Sequence, residues 1–182
     1  AGSMTLNKGV PYLLQAFGAL VHPRKRLWLA GSPDEAFMAR MRQLGLWPKE
    51  AHLLGHLPQA ELARRMSRSH VLVLPSMQDG FGMVLSQAMA CGCVPVASSH
   101  TGAWDAFEDG VSGLVFPAGD AHALTERLQR LADQPDVRLA MRAAALQAVH
   151  GMGGWQRYGD QAQALYQSLV DARHARAVPR GL

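Results

Sequence analysis

Apolar residues recur along this chain in two alternating rhythms. Within residues 8–21, Val10, Leu13, Leu14, Phe17 and Leu20 fall on one side of a helical spiral, which predicts an amphipathic helix. Short apolar runs follow at 26–30, 52–54, 71–74, 94–97 and 114–116, brief and apolar enough for buried strands. Helical patterns separate them at 34–44, 59–67 and 83–91, with a short helix starting at 101–107. Three more helices are predicted at 120–132, 136–149 and 155–173, the second beginning just after Pro135. Strand and helix in alternation give an α/β fold, a Rossmann-like parallel sheet with helices on both faces.

The stretch from Val71 to Val96 is the centre of this pattern. A strand runs into the turn-rich segment 75–82, where Gly80 and Gly82 permit close backbone approach to a ligand. A helix follows and stops at Gly92. Its first amides, at Gly82, Met83 and Val84, have no intrahelical acceptor and together carry roughly half a positive charge, which suits a phosphate. Ligands of open α/β sheets bind at the carboxyl ends of such strands. The same glycines would also serve a tight turn and nothing else.

These residues resemble a known signature. Asp79-Gly80-Phe81-Gly82, four residues, then Gln87-Ala88-Met89-Ala90 with Gly92, Val94, Pro95 and Val96 is similar to the signature of the family 4 (group 1) glycosyltransferases. That family usually carries a glutamate at each of the places held here by Asp79 and Gln87. The likeness extends to Asn7-Lys8-Gly9-Val10, to Glu108-Asp109-Gly110 with Gly113-Leu114, and to Trp155. It implies the C-terminal, donor-binding half of a GT-B fold. The family's first strand, the Gly-Arg dipeptide ending it and the N-terminal acceptor-binding domain are expected to lie outside this chain.

The resemblance also implies roles. Departure of a diphosphate without a metal requires fixed cations and amide dipoles; Lys8 is the candidate cation and the amides of Gly82, Met83 and Val84 are the dipoles. Asp79 stands where the family's glutamate contacts the donor sugar near the transferring carbon, so it is the candidate catalytic residue. Its side chain is one methylene shorter, a loss of about 1.5 Å in reach. Gln87 stands where the second glutamate accepts bonds from the ribose; a neutral amide is the weaker acceptor. Gly80, Phe81 and Gly82 shape the donor loop, and His56 with Leu57 follows a strand end where the base pocket forms. Gly102 and Asp105 match a turn that shapes the sugar pocket, where Trp104 is either a pocket wall or a packing residue. Each has a plainer alternative: Lys8 a solvated lysine, Asp79 a cap of its own turn, His56 an idle surface histidine.

Composition narrows the rest. The 182 residues, 48% hydrophobic and 18% charged, suffice for a buried core, and no apolar run reaches membrane-spanning length. The net charge of +4 is mild, and no nucleic-acid-binding motif is present. Cys91 and Cys93 make no zinc site and read as small buried residues in a reducing compartment. Met38, Met41, Met66, Met89 and Met141 read as core filler. Ser76 lacks the context of a nucleophile elbow.

The expected organisation is a tag remnant at 1–4, a nucleotide-sugar-binding domain at 5–172 and a basic, flexible tail at 173–182. The expected function is donor binding for a retaining glycosyltransferase that moves a sugar from a nucleotide-diphosphate sugar to a glycan or lipid-linked acceptor. No cofactor or metal is expected, and the isolated domain should be inactive. The setting would be the bacterial cytoplasm, at the inner face of the membrane, in cell-surface polysaccharide synthesis with UDP- or GDP-sugars. The rival is a non-catalytic nucleotide-sugar-binding or scaffold domain with an eroded site. A sugar-nucleotide epimerase would need catalytic acids that have no place here.

Overall fold

A computed structural model describes residues 2, 4–80 and 82–177. The chain divides into two compact units, Ala1–Val149 and His150–Leu182. The first holds, in order, α1 (Val10–Ala19), β1 (Leu27–Ala30), α2 (Glu35–Gln43), β2 (Ala51–Gly55), α3 (Gln59–Ser67), β3 (Val71–Leu74), α4 (Met83–Ala90), β4 (Val94–Ser98), α5 (Ala103–Ala106), β5 (Leu114–Phe116) and α6 (Ala121–Asp133). The helix α7 (Pro135–Gly151) ends just past it, and α8 (Gly154–Ala177) belongs to the second unit.

All strand pairs are parallel, as the alternation predicts, but they form two sheets rather than one. Among the described residues β1 pairs with β2 alone, while β4 lies between β3 and β5. Between the two sheets runs the chain's own start. The Gly2 amide donates to the Ala30 carbonyl at 2.9 Å, and Met77 donates to the Asn7 carbonyl at 2.8 Å. Residues 2 and 4–7 therefore bridge the carboxyl ends of β1 and β3, which delivers Lys8 to that edge.

Side chains alternate across the strands and build a core on each face. Val94, Val96, Leu114 and Phe116 pack with Leu13 and Leu14 of α1, Leu124 and Leu128 of α6, and Met141 of α7. Leu74, Ala97 and Val115 turn the other way, against Leu85 and Met89 of α4 and Phe107 beside α5. The methionines expected as filler are all buried, Met38, Met41 and Met141 in the first of these clusters and Met89 in the second.

Helix α1 is shorter than the predicted 8–21, for reasons at both ends. Gly9 sits at φ +65 and ends the turn that carries Lys8, so the helix begins after it. At the other end the Lys25 ammonium donates to the carbonyls of Phe17, Gly18 and Leu20, satisfying acceptors that the helix leaves open. Helix α8, described by itself, extends through Arg173 to Ala177 and exposes Tyr158, Leu165, Tyr166, Leu169 and Val170. The rest of the expected tail, 178–182, lies outside the described residues.

The cysteines differ from their joint expectation. Cys93 is buried and donates to the Met66 carbonyl at 3.0 Å, but Cys91 is only half-buried. Burial, with the neighbouring Cys91, pushes the Cys93 thiol up to about 11 despite the opposing Arg142 charge. At pH 8 a maleimide should therefore modify one thiol quickly and the other only on unfolding. Mass spectrometry showing Cys93 labelled as fast as Cys91 would contradict this placement.

Candidate functional site

The site is assembled where β3, β4 and the start of α1 meet. Past Leu74 the chain turns sharply, and Ser76, fully buried, sends its hydroxyl to Asp79 Oδ2 at 3.2 Å. The Lys8 ammonium donates to the same oxygen at 2.7 Å, and the Gly80 amide donates to Oδ1 at 3.0 Å. One carboxylate thus fixes a cation, a buried hydroxyl and its own turn. Asp79 therefore does cap its own turn, and Lys8 joins that cap in one cluster rather than standing as a solvated lysine.

Gly9 makes that cluster possible. A Cβ built on Gly9 would lie 1.7 Å from the Pro75 carbonyl oxygen, so only glycine lets the start of α1 approach the end of β3. From the far side, the loop after β4 holds the same turn. Asp79 donates its amide to the His100 carbonyl at 3.1 Å, and Gly102 donates to the Gly80 carbonyl at 2.8 Å. The Ser98 hydroxyl bonds the Ser76 carbonyl, and Thr101 bonds the Ser98 carbonyl at 2.8 Å.

Burial raises the Asp79 carboxyl, but the Lys8 ammonium, the Ser76 hydroxyl and the Gly80 amide outweigh it. The group is held below the usual carboxylate range. It therefore stays ionised at neutral pH and keeps Lys8 in place.

Gly82 caps α4 in the left-handed conformation, at φ +64, and the first intrahelical bond runs from the Leu85 amide to its carbonyl at 2.7 Å. The amides of Met83 and Val84 precede that bond, as expected of an anion-binding helix start. Gln87 follows four residues on, about 6 Å further along the axis, half-buried. Phe81 lies outside the described residues. His56 is exposed and Leu57 half-buried at the carboxyl end of β2; among the described residues neither joins the Lys8–Asp79 cluster.

Sequence reasoning set Ser76 aside as a nucleophile and missed its structural part. Its one signal was the spacing, a small hydroxyl residue three before the acid. A depression of about 520 Å³ walled by Leu14, Lys25, Trp47 and Glu50 lies at the amino ends of β1 and β2, away from this cluster. Its lysine is already engaged by the α1 carbonyls. Among the described residues no group of His, Cys, Asp and Glu is arranged to hold a metal ion, and no helix is long and apolar enough to cross a membrane.

Comparison with known proteins agrees with this fold. Residues 1–148 match the family described as glycosyl transferases, group 1. A D-inositol 3-phosphate glycosyltransferase of Catenulispora acidiphila is 32% identical over 191 residues, covering 97% of this chain and 45% of the relative. Among solved structures, sucrose-phosphate synthase of Thermosynechococcus elongatus superposes with a TM-score of 0.81 at 25% identity, covering 94% of this chain and 45% of the other. HepE of Anabaena, in complex with UDP and glucose, gives a TM-score of 0.77 at 19% identity over 90% of this chain and 47% of the other. The chain spans less than half the length of these proteins.

Proposed function

The chain belongs to the group 1 glycosyltransferases and has the fold of a GT-B C-terminal domain, and on that premise we propose that it is the donor-binding domain of a retaining, metal-independent enzyme. The donor would be a nucleotide-diphosphate sugar and the acceptor a glycan or lipid-linked glycan. The observation that carries the reading is the placement of the Lys8 ammonium. It is held 2.7 Å from Asp79 on the same turn that opens α4, at the carboxyl ends of parallel strands. A cation and a helix start meet where a leaving diphosphate would need both.

In this reading Lys8 and the amides of Gly82, Met83 and Val84 take the diphosphate. Gln87 accepts from the ribose, His56 and Leu57 border the base, and Gly80 with Phe81 shapes the loop. Asp79 reaches toward the sugar from a position fixed by Ser76. Most of the acceptor site would come from an N-terminal domain, so this chain alone binds donor and transfers nothing. The setting is the cytoplasm, at the inner face of the membrane when the acceptor is lipid-linked.

One observation favours the rival, a binding domain without catalysis: Asp79 already neutralises Lys8. Calorimetric titration with UDP, GDP and ADP, on the wild type and Gln87→Glu, separates the two. UDP comes first because HepE binds it within a similar fold. Selective binding, tightened about tenfold by the charged acceptor, supports a working donor site. No binding by either protein at millimolar nucleotide would defeat the reading.

A further inference from the structure

The sequence leaves Trp104 as a pocket wall or a packing residue, and the structure excludes packing, since 61% of its surface is exposed. The indole is nevertheless fixed. Its Nε1 donates to the Ser99 carbonyl at 3.3 Å, and Ser99 is the first residue beyond β4. The Ser99 amide donates to the Phe116 carbonyl at 2.8 Å, so the ring is anchored over the carboxyl ends of β4 and β5. That is the ligand-binding edge of a parallel sheet. The same loop reaches the donor turn through the Gly102 amide on the Gly80 carbonyl, at 2.8 Å.

The other described indoles are covered. Arg65 lies over Trp28 at 5.2 Å and Arg42 over Trp47 at 5.3 Å. Trp104 has no such cover among the described residues and instead walls an open depression of about 510 Å³ shared with Asp105, Phe107, Glu108 and Asp109. Asp109 is engaged, accepting the Val115 amide at 2.8 Å. Among the described residues the carboxylates of Asp105 and Glu108 have no partner.

We propose that Trp104 is the stacking platform of a carbohydrate subsite beside the donor turn, which takes a neutral or amino sugar ring of the acceptor. A flat indole offers an apolar face to the C–H face of a pyranose, while Asp105 and Glu108 accept from its hydroxyls. The occupant is not the nucleotide's diphosphate, because Asp105 and Glu108 line the depression and no cation does. It is not a uronic acid, because two uncompensated carboxylates repel one. The assignment to the acceptor rests on the donor-domain reading above.

The test is NMR of the indole N–H groups of this chain during titration with methyl α-D-glucopyranoside, glucosamine and glucuronate, each to about 0.1 M because single rings bind weakly. The Trp104 resonance should shift saturably with the first two and not with glucuronate, while Trp28 and Trp47 stay still. Trp104→Ala should weaken sugar binding about tenfold and Trp104→Phe much less. Equal shifts at all indoles, sugar affinity unchanged in Trp104→Ala, or a response to tetramethylammonium alone would overturn the proposal. UDP titrated into the wild type, read at the Gln87 side-chain amide, distinguishes the two failures. UDP binding without a sugar response at Trp104 sinks the subsite and leaves the donor reading standing. A sugar response without UDP binding keeps the carbohydrate subsite and sinks the donor reading, and with it the assignment to the acceptor.

Discussion

Gly9→Ala is expected to destabilise the domain by about 3 kcal/mol or more, as read from the midpoint of urea unfolding. Two effects act together there. The residue sits at φ +65, which an L side chain rarely adopts, and its new Cβ would meet the Pro75 carbonyl oxygen at 1.7 Å. Neither partner can swing aside, because both are backbone. Gly45 is the control: it too is left-handed, at φ +68, but its Cβ would meet nothing within 4 Å. Gly45→Ala should lose only about 1 kcal/mol. If both variants unfold at the same midpoint, the close approach of α1 to β3 is not a real constraint. The Gly9 variant that stays folded should also bind nucleotide poorly, since any retreat of α1 withdraws Lys8 from the turn.

Lys8 and Asp79 give the second large effect, and its two halves have opposite signs. Lys8→Met should lower the affinity for UDP or inorganic pyrophosphate about a hundredfold, with the loss of one charge-assisted contact and of the cation facing the leaving group. Stability should fall by only about 1 kcal/mol, because the part-exposed Asp79 carboxylate keeps the Ser76 hydroxyl and the Gly80 amide as donors. Asp79→Asn should instead tighten pyrophosphate severalfold, since it releases Lys8 from a competing carboxylate. A loss of affinity in Asp79→Asn would mean that Asp79 is needed to aim the lysine rather than competing for it. The pH dependence follows from the lowered carboxyl of Asp79. Its contribution to stability is fully present above the ordinary value of 3.8 and is lost as pH falls through the depressed one. Between pH 6 and 8 the Asp79 carboxylate should stay ionised.

The strand–helix rhythm of Val71 to Val96 was legible because each piece is short, apolar and closed by a glycine. The pairing of Lys8 with Asp79 was not: the two are 71 residues apart, and no local pattern reports a contact made by tertiary packing. The structural part of Ser76 stayed hidden for the related reason that its hydroxyl matters only once Asp79 turns back over it. The split of the strands into two sheets was also hidden. Apolar runs announce strands, but their order depends on which backbone edges meet, and residues 2–7 carry almost no apolar pattern.

That split has a consequence for how the backbone exchanges with solvent. The carboxyl ends of β1 and β3 are bridged by residues 2 and 4–7, and along β3 Val71, Leu72 and Val73 remain only half-buried. Among the described residues the outer side of β3 pairs with no other strand, so its amides and carbonyls there turn to water. That side is therefore where deuterium should enter the β3 backbone first.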